Sequence, residues 1–341
     1  MSKRRSSSRT LETPTLIDVA KVAGVSPITV SRALGRPEVV APATRRRVQE
    51  AVRATGYLPN LAAGSLASSR SRLVAIFLPT IANSIFADTV EALTERLAAA
   101  GYQTLLGLTG YSAEQEEQLL EAVLGRRPDG IVLIGTDHTQ ASRERLARVG
   151  IPLVEAWDLC ARPLDMLVGF SHEAVGAAIA HHLLKRGYQR VSVVSLDDPR
   201  GLRRCNSLIE TLAQHGVAPV DTAILPAPAT LAQGRAGVAR LLEAGTAGQV
   251  VVCSSDTLAQ GVLAEAGSRG LRIPQDLAVM GFGDLSCAAH THPPLSSVRI
   301  DGPRIGQAIA EALLARIAEP ALARTPVRLD VGFEVIGRGS A

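Results

Sequence analysis

The sequence is poor in aromatic residues: Phe, Trp and Tyr make up 3% of its 341 positions. A sizeable core must therefore be filled by Ala, Val, Leu and Ile, which suits packed α/β layers. Cysteine is also scarce. Cys160, Cys205, Cys253 and Cys287 lie far apart and form no Cys-x-x-Cys pair. That pattern excludes a disulfide scaffold and predicts reduced, mostly buried thiols. Cys287, His290 and His292 are close in sequence, but their spacing fits no zinc motif, so no metal is expected. No stretch of about 18 apolar residues is present, which argues against a membrane span. The opening MSKRRSSSRT is not followed by an apolar run of signal-peptide length, so a cytoplasmic protein is expected. The phosphate-cradling and nucleophile-elbow patterns (Gly-x-Gly-x-x-Gly after a strand, Gly-x-x-x-x-Gly-Lys-Ser/Thr, Gly-x-Ser-x-Gly) are missing too. His181 and His182 are adjacent in a helical stretch and cannot share a face, so they read as structural. Neither an enzyme nor a cofactor is expected.

What is present is an uneven charge. Residues 1–72 carry 13 Lys/Arg against 4 Asp/Glu, which leaves 23 against 28 in the remainder. A small basic module joined to a mildly acidic body suggests a polyanion reader attached to something else. Residues 1–13, rich in Ser and Arg, are expected to be a disordered arm. Thr15 is a plausible N-cap, with Leu16, Val19, Ala20 and Ala23 following at helical spacing. Gly24 ends that helix in a left-handed turn. Ser26 can start a second helix with Pro27 in its first turn. Val30 and Leu34 face inward there, leaving Pro27, Ile28, Ser31 and Arg32 outward. A third helix fits 43–55, with Val48, Ala51, Val52 and Thr55 inward and Arg45, Arg46, Arg47 and Arg53 available to phosphates. Two short helices joined by a tight Gly-containing turn make a helix-turn-helix, though spacing alone also allows an ordinary three-helix domain. A short helix fits the major groove, where Arg32 can grip a guanine bidentately and Pro27 and Ile28 can touch a thymine methyl.

Residues 15–68, TLIDVAKVAGVSPITVSRALGRPEVVAPATRRRVQEAVRATGYLPNLAAGSLAS, resemble the DNA-binding headpiece of the lactose-repressor family almost without interruption. The resemblance implies that Pro27, Ile28 and Arg32 sit where the family reads bases. It makes Tyr57, Pro59 and Asn60 part of a Gly-Tyr-x-Pro-Asn segment, and residues 60–68 a hinge helix that folds on the operator. Leu66 falls at the leucine that wedges into the minor groove, unstacking a base step. The DNA-binding set on this reading is Thr15, Ser26, Pro27, Ile28, Thr29, Ser31, Arg32, Asn60, Ala63 and Leu66.

The body alternates apolar, β-rich runs with helical stretches. The runs cover 73–80, 102–109, 130–135, 152–157, 190–196, 249–255 and 277–282. They are continuous rather than alternating, as expected of strands buried on both faces. Between the first two lies a helix over 85–100, striped by Phe86, Val90, Leu93 and Leu97. A βαβ succession implies parallel sheets, and the number of units implies two similar halves. Ligands bind such sheets outside the carboxyl ends of the strands. The residues there are Asn83, Ser84 and Phe86, then Tyr111, Asp137 and His138 in one half, and Arg204, Asp256 and Asp284 in the other.

The body resembles the same family's periplasmic-binding-protein-like core, on LPTIANSIF, Arg204, SSDTLAQG and GFGD. Ser255 replaces a frequent Asn, Gly283 stands where an Asp often binds sugar hydroxyls, and Ser207 replaces a usual Gly. These departures argue against a lactose-like or purine effector. GYQTLLGLTGYSAEQEEQLLEAVLGRRPDGIVLIGTDHT and PLDMLVGFSHEAVGAA are similar to repressors of gluconate operons, which implies gluconate or a related sugar acid as effector. The implied effector-binding set is Asn83, Phe86, Tyr111, His138, Phe170, Arg204, Asp256 and Asp284, with Arg204 as a fork-shaped donor to a carboxylate. The fold class expected is an N-terminal all-α helix-turn-helix headpiece plus an α/β periplasmic-binding-protein-like core of two similar parallel-sheet halves. Its divisions are 1–13 (arm), 14–59 (helix-turn-helix), 60–72 (hinge helix and linker) and 73–341 (effector-binding and dimerisation core, two interwoven halves). The partners implied are a near-palindromic double-stranded DNA operator, a small-molecule effector and a second copy of the chain. The sign of regulation is left open by the residues: an activator or a co-repressed regulator with another sugar or a phosphorylated effector is the alternative, and a periplasmic-type sugar-binding protein is the alternative class.

Overall fold

Local capping chemistry shapes the N-terminal segment. Thr15 caps α1 (Leu16–Ala23) in a capping box: its hydroxyl accepts from the Asp18 amide, and the Asp18 carboxylate accepts from the Thr15 amide. Gly24 ends the helix at φ 62°, a left-handed geometry that strains any residue with a Cβ. Ser26 then caps α2 (Pro27–Gly35), with Pro27 in the first turn where its missing N–H costs nothing. The third helix, α3 (Pro42–Thr55), begins one residue earlier than its pattern suggests, after a short 3-10 turn at Pro37–Val39. Val19, Val30, Val48 and the small Ala20, Ala33 and Ala51 fill one compact core between the three helices.

This computed structural model describes residues 14–58, 70–82, 84–217, 220–319 and 326–341. The chain divides into two units, Met1–Ser71 and Arg72–Ala341. Among the described residues no helix is long and apolar enough to cross a membrane.

The second unit is built on two parallel sheets. The first runs β2 (Gln103–Leu108), β1 (Leu73–Leu78), β3 (Gly130–Ile134), β4 (Leu153–Ala156), β5 (Met166–Gly169), β11 (Arg328–Asp330). The second runs β7 (Asp221–Leu225), β6 (Val191–Leu196), β8 (Val250–Cys253), β9 (Ala278–Met280). A further strand, β10 (Ser297–Arg299), pairs antiparallel with β12 (Glu334–Ile336). Helices α4 (Ala87–Ala99), α5 (Ala113–Leu124), α6 (Gln140–Val149) and α11 (Gly302–Ala318) go with the first sheet. Helices α7 (His172–Lys185), α8 (Pro199–Gln214), α9 (Leu231–Glu243) and α10 (Asp256–Ser268) go with the second. The halves are interwoven: the chain leaves the first after β5, returns for α11 and β11, and leaves again for β12.

The central strands β3, β4, β5, β6 and β8 are buried along their whole length, which explains their continuous apolar runs. The run over 102–109 differs. Its strand, β2, is a sheet edge, and Leu106 and Leu108 are 46% and 42% exposed. The striped helix begins as a 3-10 turn at Ser84–Phe86 and becomes α-helical only at Ala87.

Candidate functional site

Two features concentrate the residues singled out in the sequence. The first is the outer face of α2. Pro27, Ile28, Ser31 and Arg32 are all exposed, and Ile28 is 64% exposed despite its apolar side chain. The inward face is taken by Val30 and Ala33, so helical spacing alone fixes the outward set. Thr15 and Ser26 are exposed at the starts of α1 and α2, and Thr29 is half-buried, its hydroxyl 2.8 Å from that of Ser26. Arg46, Arg47 and Arg53 are exposed on α3. Asn60, Ala63 and Leu66, and with them the expected hinge helix, lie outside the described residues, as does Asn83.

The second feature is a cleft between the two halves of the α/β unit. One chamber, open to solvent, is walled by Phe86, Trp157, His172, Arg200, Arg204 and Phe282, with Asp198, Ser254 and Ser255 at its polar side. A second, also open to solvent, is walled by Thr109, Ser112, Gly135, Asp137, His138 and Glu116. Tyr111 and Arg200 line both, so the chambers adjoin. The walls come from segments just beyond the carboxyl ends of β1 to β6, β8 and β9, the place where open α/β sheets bind ligands.

Arg204 projects from the second turn of α8 and is buried. Its Nη1 donates to His172 Nδ1 at 2.8 Å, its Nη2 donates to the Ser254 carbonyl at 3.0 Å, and its guanidinium carbon lies 3.9 Å from the centre of the Phe282 ring. Burial lowers the guanidinium to about 10, a cost eased by Asp198 and increased by Arg200. His172 complements it. Burial, then the charge of Arg204, hold its imidazole neutral, well below the ordinary histidine range. The neutral ring can therefore donate from Nε2 to the Trp157 carbonyl at 3.0 Å and accept at Nδ1. Trp157 stands edge-on to Phe86, ring centres 5.0 Å apart, and its indole N–H donates to Thr89. An ion pair between Asp158, beyond β4, and Arg203, on α8, links the two halves beside the chamber.

Of the expected effector contacts, Phe86, Tyr111, His138 and Arg204 line the cleft. Three others have different places. Phe170 is fully buried behind the wall, edge-on to Trp157 and His172. The Asp256 carboxylate accepts from the Ser297 hydroxyl at 2.6 Å and the Leu285 amide at 2.7 Å. Burial raises this carboxyl to about 6 against those hydrogen bonds. Asp284 is paired with Arg338 and Arg299; burial works against its charge, but their hydrogen bonds hold it below the usual carboxylate range. Neither carboxylate lines a chamber. His138 does, but both ring nitrogens are spent on Glu116 (2.6 Å) and Glu155 (3.2 Å).

The residues that sequence reasoning missed are Trp157, His172, Asp198 and Arg200, while Ser254 and Phe282 lie in the SSDTLAQG and GFGD segments that the resemblance places at the cleft. For Arg200 a signal existed. Asp198-Pro199 is an N-cap followed by a first-turn proline, which starts a helix and sets Arg200 one turn before Arg204 on the same face.

Residues 15–60 match the family of bacterial regulatory proteins described as lacI, and residues 180–341 match a periplasmic binding protein-like domain. The chain is 38% identical over 342 residues to the HTH-type transcriptional regulator GntR of Pseudomonas aeruginosa, covering 100% of this chain and 99% of that protein. It is 31% identical to the GntR regulator of Escherichia coli strain K12, covering 96% and 98%. A solved LacI-family transcriptional regulator from Silicibacter pomeroyi superposes with a TM-score of 0.89 at 32% identity, covering 96% of this chain and 99% of that one.

Proposed function

Because this chain belongs to the lacI family of bacterial regulatory proteins and is a DNA-binding transcriptional repressor rather than an enzyme, we propose that it controls genes of sugar-acid metabolism and leaves its operator when gluconate or a related sugar acid occupies the cleft. The observation that carries the effector class is the charge of the first chamber. Arg204 is buried at its wall, Arg200 stands one helical turn away, and the neighbouring imidazole of His172 is neutral. Such a site favours an anion of small size, and the flanking Asp198, Ser254 and Tyr111 suit polyol hydroxyls.

On the DNA side, Pro27, Ile28, Ser31 and Arg32 enter the major groove. Thr15, Ser26 and the arginines of α3 meet phosphates, while Asn60, Ala63 and Leu66 act by the family resemblance alone. Base contacts supply the specificity and phosphate contacts the salt-dependent affinity. Two such headpieces read the half-sites of a near-palindromic operator, which calls for a homodimer. The apolar Leu106 and Leu108 on the β2 edge and Ile224 on the β7 edge support a partner of the same kind. The cytoplasm is the compartment this reading requires.

The test begins with selection of a binding site from random-sequence duplexes by the full chain. Fluorescence anisotropy of that duplex should then report release as gluconate is added, with glucose inert. A complex indifferent to gluconate, 2-ketogluconate and 6-phosphogluconate would remove the sugar-acid reading.

A further inference from the structure

We propose that Arg200, not Arg204, receives the anionic group of the effector, and that it sets the preference for acids over uncharged polyols. This rests on reading the cleft as the effector site. Arg204 has already committed two of its five N–H donors, one to His172 and one to Ser254. Its ion–ring contact with Phe282 covers one face as well. Arg204 thereby holds the chamber wall together.

Arg200 is the opposite case. The residue is 9% exposed, and its Nη1 is fully buried with no hydrogen-bond partner. Buried guanidinium donors without an acceptor are costly, and a native structure keeps one where something else completes it. The nearest group on one side is an aromatic face: the guanidinium carbon lies 5.5 Å from the Phe86 ring centre. On another side is the backbone of Gly135, where a Cβ would stand 3.9 Å from Nη1. Neither supplies an acceptor. The acid next to it, Asp198, uses Oδ1 to cap α8 by accepting from the Gly201 amide. Arg200 therefore presents an unspent donor where the two chambers adjoin, in the first turn of a helix whose dipole also favours an anion. A carboxylate or phosphate fits the planar fork; a neutral hydroxyl cannot discharge it. The anion would also touch both halves at once, because Arg200 comes from α8 while Phe86 and Gly135 come from the segments that follow β1 and β3.

The experiment is calorimetry on the full chain with gluconate, glucitol (the same carbon chain without the carboxylate) and inorganic phosphate. Arg200→Gln should bind gluconate at least about tenfold more weakly than the unaltered chain, while the weak affinity for glucitol stays the same. Equal gluconate affinity in the two proteins overturns the assignment of Arg200 and leaves the sugar-acid reading intact. If the unaltered chain ignores gluconate but binds phosphate, and Arg200→Gln abolishes that binding, Arg200 stands and the sugar-acid reading falls. Absence of any response to either anion sinks both. Should Arg200→Gln fail to fold, Arg200→Lys keeps the charge and loses the fork. A several-fold loss for gluconate alone then supports the inference, and unchanged gluconate binding overturns it.

Discussion

His138 shows what a single buried residue does when its environment outweighs desolvation. Its side chain is 1% exposed, between the carboxylates of Glu116 and Glu155. Burial alone would push the imidazole down, but the hydrogen bonds to the two glutamates carry it up to about 9. A doubly protonated ring has two donors, and both are used, so His138 shapes the second chamber and has no donor left for a ligand. The raised value is also a statement about stability. With an ordinary value of 6.5 when unfolded, the stabilisation is complete below pH 6.5 and is lost as the pH climbs through about 9. Its full size is on the order of 3 kcal/mol. Urea unfolding between pH 6 and 10 should show that decline, and His138→Gln should be less stable at pH 6 and flatter across the same window. An identical pH slope in the two proteins would rule out the triad as its source.

Elements in this molecule meet where side chains are missing. Gly176 on α7 packs so closely on α8 that a Cβ there would stand 2.3 Å from the Arg204 carbonyl oxygen, a backbone atom with nowhere to go. Gly176→Ala should therefore part the two helices, lowering stability by about 1–3 kcal/mol and weakening gluconate binding, since α8 carries Arg200 and Arg204. Gly267→Ala is the control: nothing lies within 4 Å of its Cβ position on α10, so it should be neutral or stabilising by up to about 1 kcal/mol. Thermal unfolding of both variants checks the contrast, and equal behaviour would remove the packing argument. The same scale explains what could be read without coordinates. The central strands are legible because burial on both faces imposes unbroken apolar runs, and α1 and α2 because Thr15, Gly24, Ser26 and Pro27 mark their ends. β10, β11 and β12 are three residues each and carry no pattern of that length, while β7 is a half-exposed edge. The site was legible at the level of its loops and less so at the level of its atoms. Asp256, Asp284 and His138 follow strand ends as ligand-binding residues do. Their actual partners, Ser297, Arg299, Arg338 and Glu116, are distant in the chain, and single-sequence reasoning has no access to such pairings.

At the scale of the whole molecule, the charge separates what binds DNA from what transmits the signal. Residues 1–72 hold 13 basic against 4 acidic side chains, and the remainder holds 23 against 28. Operator affinity should therefore fall steeply with salt, with a slope near −0.9 for each phosphate neutralised. On the proposed function, there are two ways for gluconate to weaken the complex. It could act as one added negative charge, or it could favour a conformation that the operator disfavours. A through-space charge effect is screened by salt, whose Debye length falls from about 30 Å at 0.01 M to about 10 Å at 0.1 M. A conformational coupling between two states that neutralise the same number of phosphates is a salt-independent ratio of affinities. One charge is also small beside the excess of 9 in the first 72 residues. We therefore expect the operator dissociation constant to change by orders of magnitude between 50 and 200 mM salt, while the factor by which saturating gluconate raises it stays constant, within the roughly 5- to 150-fold typical of allosteric coupling. Anisotropy titrations at several salt concentrations, each with and without gluconate, measure both quantities on one sample. A factor that shrinks in step with added salt would make the effector an electrostatic competitor, and the two-state reading of the cleft would have to be abandoned.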